Sequence, residues 1–322
     1  MNRPASPPLP TQVRAYLELF RLPNVFTAMA DICLGFFLTH TGASPVAVFA
    51  ALLTASSCLY LAGMVLNDYY DRLIDARWRP HRPIPSGRVA PALARWIGVA
   101  LLIAGVGFGW LSGAMAEPPA SPLHGGLIAC LLAACVWAYD ARLKQTWLGP
   151  PTMGACRFLN VLLGMSAAAG AWQPMHWIVA GGIGVYIVGV TWFARTEAVE
   201  SSRVQLALST AVILAGMALL WAFPSWWEEG IDRVSYPRFA LIAPERWSLF
   251  WAVLAALVGW RCVMAVVEPT PTHVQRVVKH CILSLIVLDA AACFAVRGWQ
   301  HATVVLLLLV PTMFLGRWIY ST

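Results

Sequence analysis

Charge is what this sequence has least of. Of its 322 residues only 11% are Asp, Glu, Lys or Arg, against roughly a quarter in soluble domains, while 59% are hydrophobic. Mean hydropathy is +0.68. That scarcity excludes the pair of soluble domains the length alone would suggest and leaves one polytopic membrane domain. Acid is scarcer than base, 15 Asp and Glu against 22 Lys and Arg, for a net charge of +7. The excess forms no patch, because the positive residues alternate between loops as membrane topology requires, so nucleic acid is not an expected partner. The eight cysteines, at 33, 58, 130, 135, 156, 262, 281 and 293, include no C-x-x-C and lie mostly in apolar runs. They read as small core residues, neither disulfides nor a metal site. Residues 1 to 14 are polar and proline-rich, without the apolar stretch and cleavage site of a signal peptide. They read as a disordered cytoplasmic tail ahead of a single transmembrane domain over 15–322.

What the sequence has in quantity is apolar runs and tryptophan. Runs near 21–40, 45–66, 92–115, 123–139, 153–172, 175–193, 204–223, 247–267, 277–296 and 301–319 are each about long enough for a hydrocarbon core of roughly 30 Å. The expected fold is all-α, a transmembrane bundle of nine or ten helices, with the 16 tryptophans suited to the membrane interfaces. If the amino terminus lies inside, the inside segments carry 18 of the 22 lysines and arginines and the outside ones 4. By the positive-inside rule this orients the chain. Asp31, within the first run, must then face the bundle interior or a wet cavity. Gly181-Gly182-x-Gly184 sits mid-membrane and reads as helix packing, not a phosphate loop.

Against that background one stretch stands out. The second run leads directly into Asn67-Asp68-Tyr69-Tyr70-Asp71-Arg72-Leu73-Ile74-Asp75, and Arg79-Pro80-His81-Arg82-Pro83-Ile84-Pro85-Ser86-Gly87-Arg88 follows. Three of the 15 acidic residues fall within eight positions. If the helix continues, Asp68, Asp71 and Asp75 share one face within about a 60° arc. Carboxylates held that close repel unless a cation lies between them, and a hard divalent ion, Mg²⁺ above all, matches an all-oxygen donor set and takes phosphate oxygens as further ligands. The nearby arginines, Arg72 and Arg82 among them, can hold the same phosphate. The site would face the cytoplasm.

Asn67-Asp68-x-x-Asp71-x-x-x-Asp75 with Arg82-Pro83-Ile84-Pro85-Ser86-Gly87 closely resembles the first aspartate-rich motif of the UbiA superfamily of intramembrane prenyltransferases. The resemblance implies an enzyme of the inner (plasma) membrane that binds a prenyl diphosphate through Mg²⁺, transfers the prenyl group to a small acceptor at the cytoplasmic face and releases diphosphate. Tyr139, followed five residues later by Lys144, is similar to the family's stretch between its fourth and fifth helices, where the cation contacts diphosphate. Arg157, inside an apolar segment, demands an anionic partner. With Asn160 one turn on, and with Asn24 and Asn67, it completes the expected diphosphate-binding set of Asn24, Asn67, Arg72, Arg82, Tyr139, Lys144, Arg157 and Asn160.

Ala194-Arg195-Thr196-Glu197-Ala198-Val199-Glu200-Ser201 occupies the place of the family's second aspartate-rich motif. Glu197 and Glu200 stand where the family usually has aspartates, and with one more methylene of reach they are expected to hold a second Mg²⁺. Asp68, Asp71, Asp75, Glu197 and Glu200 are thus the expected metal ligands and catalytic acids, with Tyr69 and Tyr139 offering π-faces to a carbocation. The turn from Glu268 to Lys279 and Asp289 after it resemble the EboC branch. Two rivals follow from the same residues. A CDP-alcohol phosphotransferase would need D-G-x-x-A-R and a glycine before its acids, which are lacking; a non-catalytic carrier of isoprenoid or other lipid on the same fold is kept open by the altered second motif.

Overall fold

The computed structural model describes residues 11–118, 120–195, 201–226 and 243–317. Every regular element among them is helical. A ten-residue helix α1 (Thr11–Phe20) meets α2 (Val25–Thr39) through Arg21, whose φ of 44° bends the chain into a short 3₁₀ turn. There follow α3 (Val46–Trp78), α4 (Pro91–Ala114), α5 (His124–Ala141), α6 (Gly149–Met165), α7 (Pro174–Ala194), α8 (Arg203–Ala222), α9 (Pro244–Val267) and α10 (Pro271–Arg297). Two short helices, α11 (Trp299–Leu307) and α12 (Leu309–Leu315), close the described chain. Several helices open on proline in the first turn, where the missing N–H goes unnoticed and φ is already helical.

The segments from Gln12–Thr39 through Pro271–Arg297 include eight that are long and apolar enough to cross a membrane, so the chain is a multi-pass membrane protein. The ninth long helix, α6, has only 17 residues but packs against α2, α5 and α7. Consecutive helices from α2 to α10 pack around a ring that α10 closes against α2. At the α2–α6 crossing, Gly35 and Gly164 bring the backbones into contact: a Cβ on Gly164 would stand 2.6 Å from the Ile32 carbonyl, and one on Gly35 would overlap the Val161 carbonyl. The Gly181–Gly184 stretch also packs, with Gly182 against Leu220 and Gly184 against Gly154 and Phe158.

The structure decides the open question of the last apolar run, and two expectations need correction. The run at 301–319 does not form one crossing: the helix breaks at Leu308, because Pro311 has no N–H for the Leu307 carbonyl. The sixth helix spans 149–165 and not 153–172. Its start accommodates Pro150 and Pro151 in the first turn, and at its end the Ser166 hydroxyl donates to the Leu163 carbonyl at 2.7 Å, competing with continuation. The expected tail of 1–14 overlaps α1, whose Ala15 and Leu19 are fully buried against Val65, Ile84, Val89 and Ala94.

Candidate active site

The helix that brings the second apolar run out of the bundle, α3, does continue unbroken through the acidic motif to Trp78. Asp68 and Asp75, two turns apart, turn toward one guanidinium: Arg82 Nη1 lies 3.2 Å from Asp68 Oδ1 and 2.8 Å from Asp75 Oδ2. All three side chains are buried. Arg21 Nη2 donates to the same Asp68 Oδ1 at 3.1 Å. Asp71, one turn along, pairs instead with Lys144 Nζ at 2.7 Å. Three carboxylates of one helix are therefore matched by three cations, each from a different connection: the α1–α2 bend, the α3–α4 turn and the α5–α6 link.

Local chemistry puts Arg82 there. In the Arg82–Arg88 turn, Ser86 N donates to Arg82 O at 3.0 Å, Gly87 N to Ile84 O at 3.1 Å and Val89 N to Pro83 O at 3.0 Å. The closure needs φ of 75° at Gly87, a conformation costly for any residue with a Cβ. Buried Ile84 and Val89 pin the turn to α1 and α3. Arg88 ties it further to α1 through Glu18 Oε2 at 2.8 Å.

Other expected residues divide by where they point. Asn67 Nδ2 donates to Asp140 Oδ1 at 3.0 Å, joining α3 to α5, with Tyr139 half-buried alongside. Arg72 turns away from the carboxylates: its Nη1 donates to the Tyr69 carbonyl at 2.8 Å and its guanidinium lies 4.5 Å over the Tyr69 ring. Arg157 reaches across from α6 to Asp31 Oδ2 at 2.9 Å and Thr27 Oγ1 at 2.8 Å, so Asp31 does face the interior. The Asn160 carboxamide is fully engaged in helix packing. Its Nδ2 donates to Asp31 Oδ2 at 3.0 Å and the Ala28 carbonyl at 2.9 Å, and its Oδ1 accepts from Ser56 Oγ at 2.7 Å. Asn24 stands at the start of α2, three residues after Arg21, beside Lys279 and Arg317 in a groove of about 220 Å³. Glu197 and Glu200 lie outside the described residues; next to them, Ser201 is buried and its N donates to the Pro269 carbonyl at 3.4 Å, which brings the α7–α8 and α9–α10 links together.

Two participants escape a sequence reading. Arg21 and Asp140 each have one signal, a charge at the very end of an apolar run, but nothing local says which carboxylate or amide they meet.

No three His, Cys, Asp or Glu side chains converge on a single point among the described residues. The donor set nonetheless fits a hard divalent ion: the ion pairs engage Oδ1 of Asp68, Oδ1 of Asp71 and Oδ2 of Asp75, and among the described residues the other oxygen of each carboxylate takes no ion pair.

The profile of the UbiA prenyltransferase family matches residues 28–278. A digeranylgeranylglyceryl phosphate synthase from Methanopyrus kandleri is 33% identical over 50% of this chain and 57% of its own length. The chain thus spans little more than half of that curated relative. Among solved structures, one described for digeranylgeranylglyceryl phosphate synthase in membranes aligns with a TM-score of 0.62 at 18% identity, covering 89% of this chain and 99% of that one. A UbiA homologue from Archaeoglobus fulgidus bound to GPP and Mg²⁺ aligns at 0.55 and 13%, covering 86% and 99%. These two likenesses are of fold. With a family match over most of its length, a range that includes the helix and turn that build the carboxylate–cation cluster, the chain belongs to the UbiA prenyltransferase family.

Proposed function

We propose that this protein transfers a prenyl group from a prenyl diphosphate to a small acceptor and releases diphosphate. The observation that carries the reading is the matched cluster on α3: Asp68, Asp71 and Asp75, each held by Arg21, Arg82 or Lys144. Such a cluster can exchange partners. Mg²⁺ would be held by Asp68, Asp71 and Asp75, with Glu197 and Glu200 proposed as the ligands of a second ion, and would screen the diphosphate and favour its departure. The cations released from the carboxylates then face the diphosphate oxygens, Lys144 and Arg82 as charge-assisted donors and Arg21 behind them. Asn67, held by Asp140, would turn its remaining amide oxygen to the same site. Tyr69 and Tyr139 present rings to the electron-poor allylic carbon. Arg157 and Asn160 act one layer deeper, fixing the α2–α6 crossing below the diphosphate.

The strong positive bias of the loops at this end favours a cytoplasmic site in the inner membrane. A cysteine label at position 88 that is quenched only from outside would overturn that orientation.

The experiment is binding and turnover with purified protein in nanodiscs. A fluorescent prenyl diphosphate should bind far more tightly with Mg²⁺ than with EDTA, and diphosphate should be released when acceptor is present. Metal-independent binding without release would favour the isoprenoid-carrier reading, which the glutamates in place of second-motif aspartates support.

A further inference from the structure

The last helices of the chain leave a groove that the chemistry above does not use. The end of α12 lies beside the start of α2, where a Cβ on Gly316 would stand 4.0 Å from the Pro23 ring, and α10 forms the facing wall. The space between them is about 220 Å³. It lies at the same end of the bundle as the acidic cluster, since Asn24 on its wall is three residues from Arg21, the partner of Asp68.

The lining of this groove is sorted by depth. Lys279 precedes Ile282 and Leu283 by one turn near the start of α10, and Arg317 follows Met313 by one turn just past the end of α12, so both cations stand on the outer side of the apolar residues. That depth suits a headgroup. With 27 residues α10 is about 40 Å long, about 10 Å more than a hydrocarbon core of roughly 30 Å, and its first turns carry His273, Gln275, Arg276 and Lys279. Neither Lys279 nor Arg317 meets a carboxylate among the described residues, and none of the residues that line the groove is acidic. A free anion would match the cations and leave the apolar half wet, while an uncharged lipid would cover the apolar half and give the cations nothing. An amphiphile with a phosphate head answers both halves at once.

We propose that this groove is a binding site for an anionic phospholipid from the leaflet on the side of the acidic cluster. Its phosphate lies between Lys279 and Arg317, which donate charge-assisted hydrogen bonds to the phosphate oxygens, and an acyl chain runs over Ile282, Leu283 and Met313. Because one cation belongs to α10 and the other to the end of α12, the bound head fastens these two elements to each other. Through Pro23 and Asn24 it also steadies the 3₁₀ turn Leu22–Asn24, which directly follows Arg21. The lipid is thus a structural ligand beside the cluster, and the inference does not depend on the transferase reading.

The test uses full-length protein in detergent, offered equal amounts of phosphatidylglycerol and phosphatidylcholine with the same acyl chains. Retained lipid is read by native mass spectrometry and stability by thermal unfolding. Phosphatidylglycerol should be retained roughly tenfold or more over phosphatidylcholine, the scale of two cations acting on one anionic head, and should raise the unfolding temperature. Inorganic phosphate should not raise it. Lys279→Gln combined with Arg317→Gln should unfold at the wild-type temperature without lipid and lose the preference. Arg95→Gln combined with Arg276→Gln removes two exposed cations outside the groove and should keep it. A preference that survives the Lys279 and Arg317 changes overturns the proposal, and so does one that falls equally with Arg95 and Arg276, which would make it a property of the whole charged face. An equal rise in unfolding temperature from inorganic phosphate overturns it in favour of a free-anion site. Displacement of phosphatidylglycerol by the same concentration of geranylgeranyl diphosphate in EDTA overturns it in favour of a substrate entry.

Discussion

Lys144 Nζ sits 2.7 Å from Asp71 Oδ1, a contact that ties the α5–α6 link to the middle of the acidic motif on α3. In the proposed site that ammonium changes partner, from carboxylate to diphosphate. Lys144→Gln should therefore weaken Mg²⁺-dependent binding of a prenyl diphosphate about tenfold or more, consistent with the loss of one hydrogen bond to a charged group. The unfolding temperature should change little, since Asp71 keeps access to water. Titration of a fluorescent prenyl diphosphate checks this, and unchanged affinity would remove Lys144 from the diphosphate site.

Arg82 carries a heavier structural duty. It is 9% exposed and serves both Asp68 and Asp75, so Arg82→Ala strands buried carboxylate on α3. Removing one partner of a buried pair typically costs about 3–5 kcal/mol. The variant should unfold at a clearly lower temperature in detergent, and Asp75→Asn added to it should recover part of the loss by removing the charge left without a partner. If the double variant is as unstable as the single one, the pairing is not what holds the turn in place.

At the α2–α6 crossing the expected effect is steric. Gly164→Ala puts a Cβ 2.6 Å from the Ile32 carbonyl, so the two helices must separate. Overpacking of this kind costs about 1–3 kcal/mol. Because Asp31, Arg157 and Asn160 bridge the same two helices, turnover should fall along with thermal stability. Gly181→Ala, with nothing within 4 Å of the added methyl, is the matched control. Equal behaviour of the two variants would contradict the close approach.

Glu197 and Glu200 decide whether the second motif works. Changing either to Gln keeps size and removes charge, so prenyl diphosphate binding through Asp68, Asp71 and Asp75 should survive. Turnover should drop by about two orders of magnitude or more, the usual result of losing about 3–4 kcal/mol of leaving-group stabilisation. Glu197→Asp is the control that keeps charge at shorter reach. Wild-type diphosphate release in both Gln variants would show that these glutamates are not catalytic.

How far the sequence speaks depends on the range of the interaction. The run of α3 through its acids was legible because apolar residues and an i, i+3, i+7 spacing are local properties of one helix. The turn after it was legible for the same reason, through Pro83, Pro85 and Gly87. Arg72 looked equivalent to Arg82 in sequence, yet one folds back on Tyr69 and the other closes on Asp68 and Asp75; the difference lies in the turn geometry that only Gly87 permits. Asn160 read as a diphosphate ligand because it follows Arg157 by one turn, but Ser56, Ala28 and Asp31 engage its amide. The Arg21–Asp68 and Asp31–Arg157 pairs depend on which distant helices become neighbours, and no local pattern encodes that. The break at Leu308 was legible in Pro311 and was outweighed by the hydropathy of the run.

Because Asp68, Asp71 and Asp75 are already paired with Arg21, Arg82 and Lys144, the cluster itself offers neither a bare anion nor a bare cation a net attraction. A free phosphate must pull an arginine from a buried carboxylate and leave that carboxylate exposed to nothing, while a free metal ion must displace the same cations with nowhere for them to go. Only a ligand that brings both signs at once can trade partners without stranding a charge. If the proposed reaction holds, the cluster would act as a selectivity gate, admitting ion-complexed diphosphates as a unit and turning away their separate components.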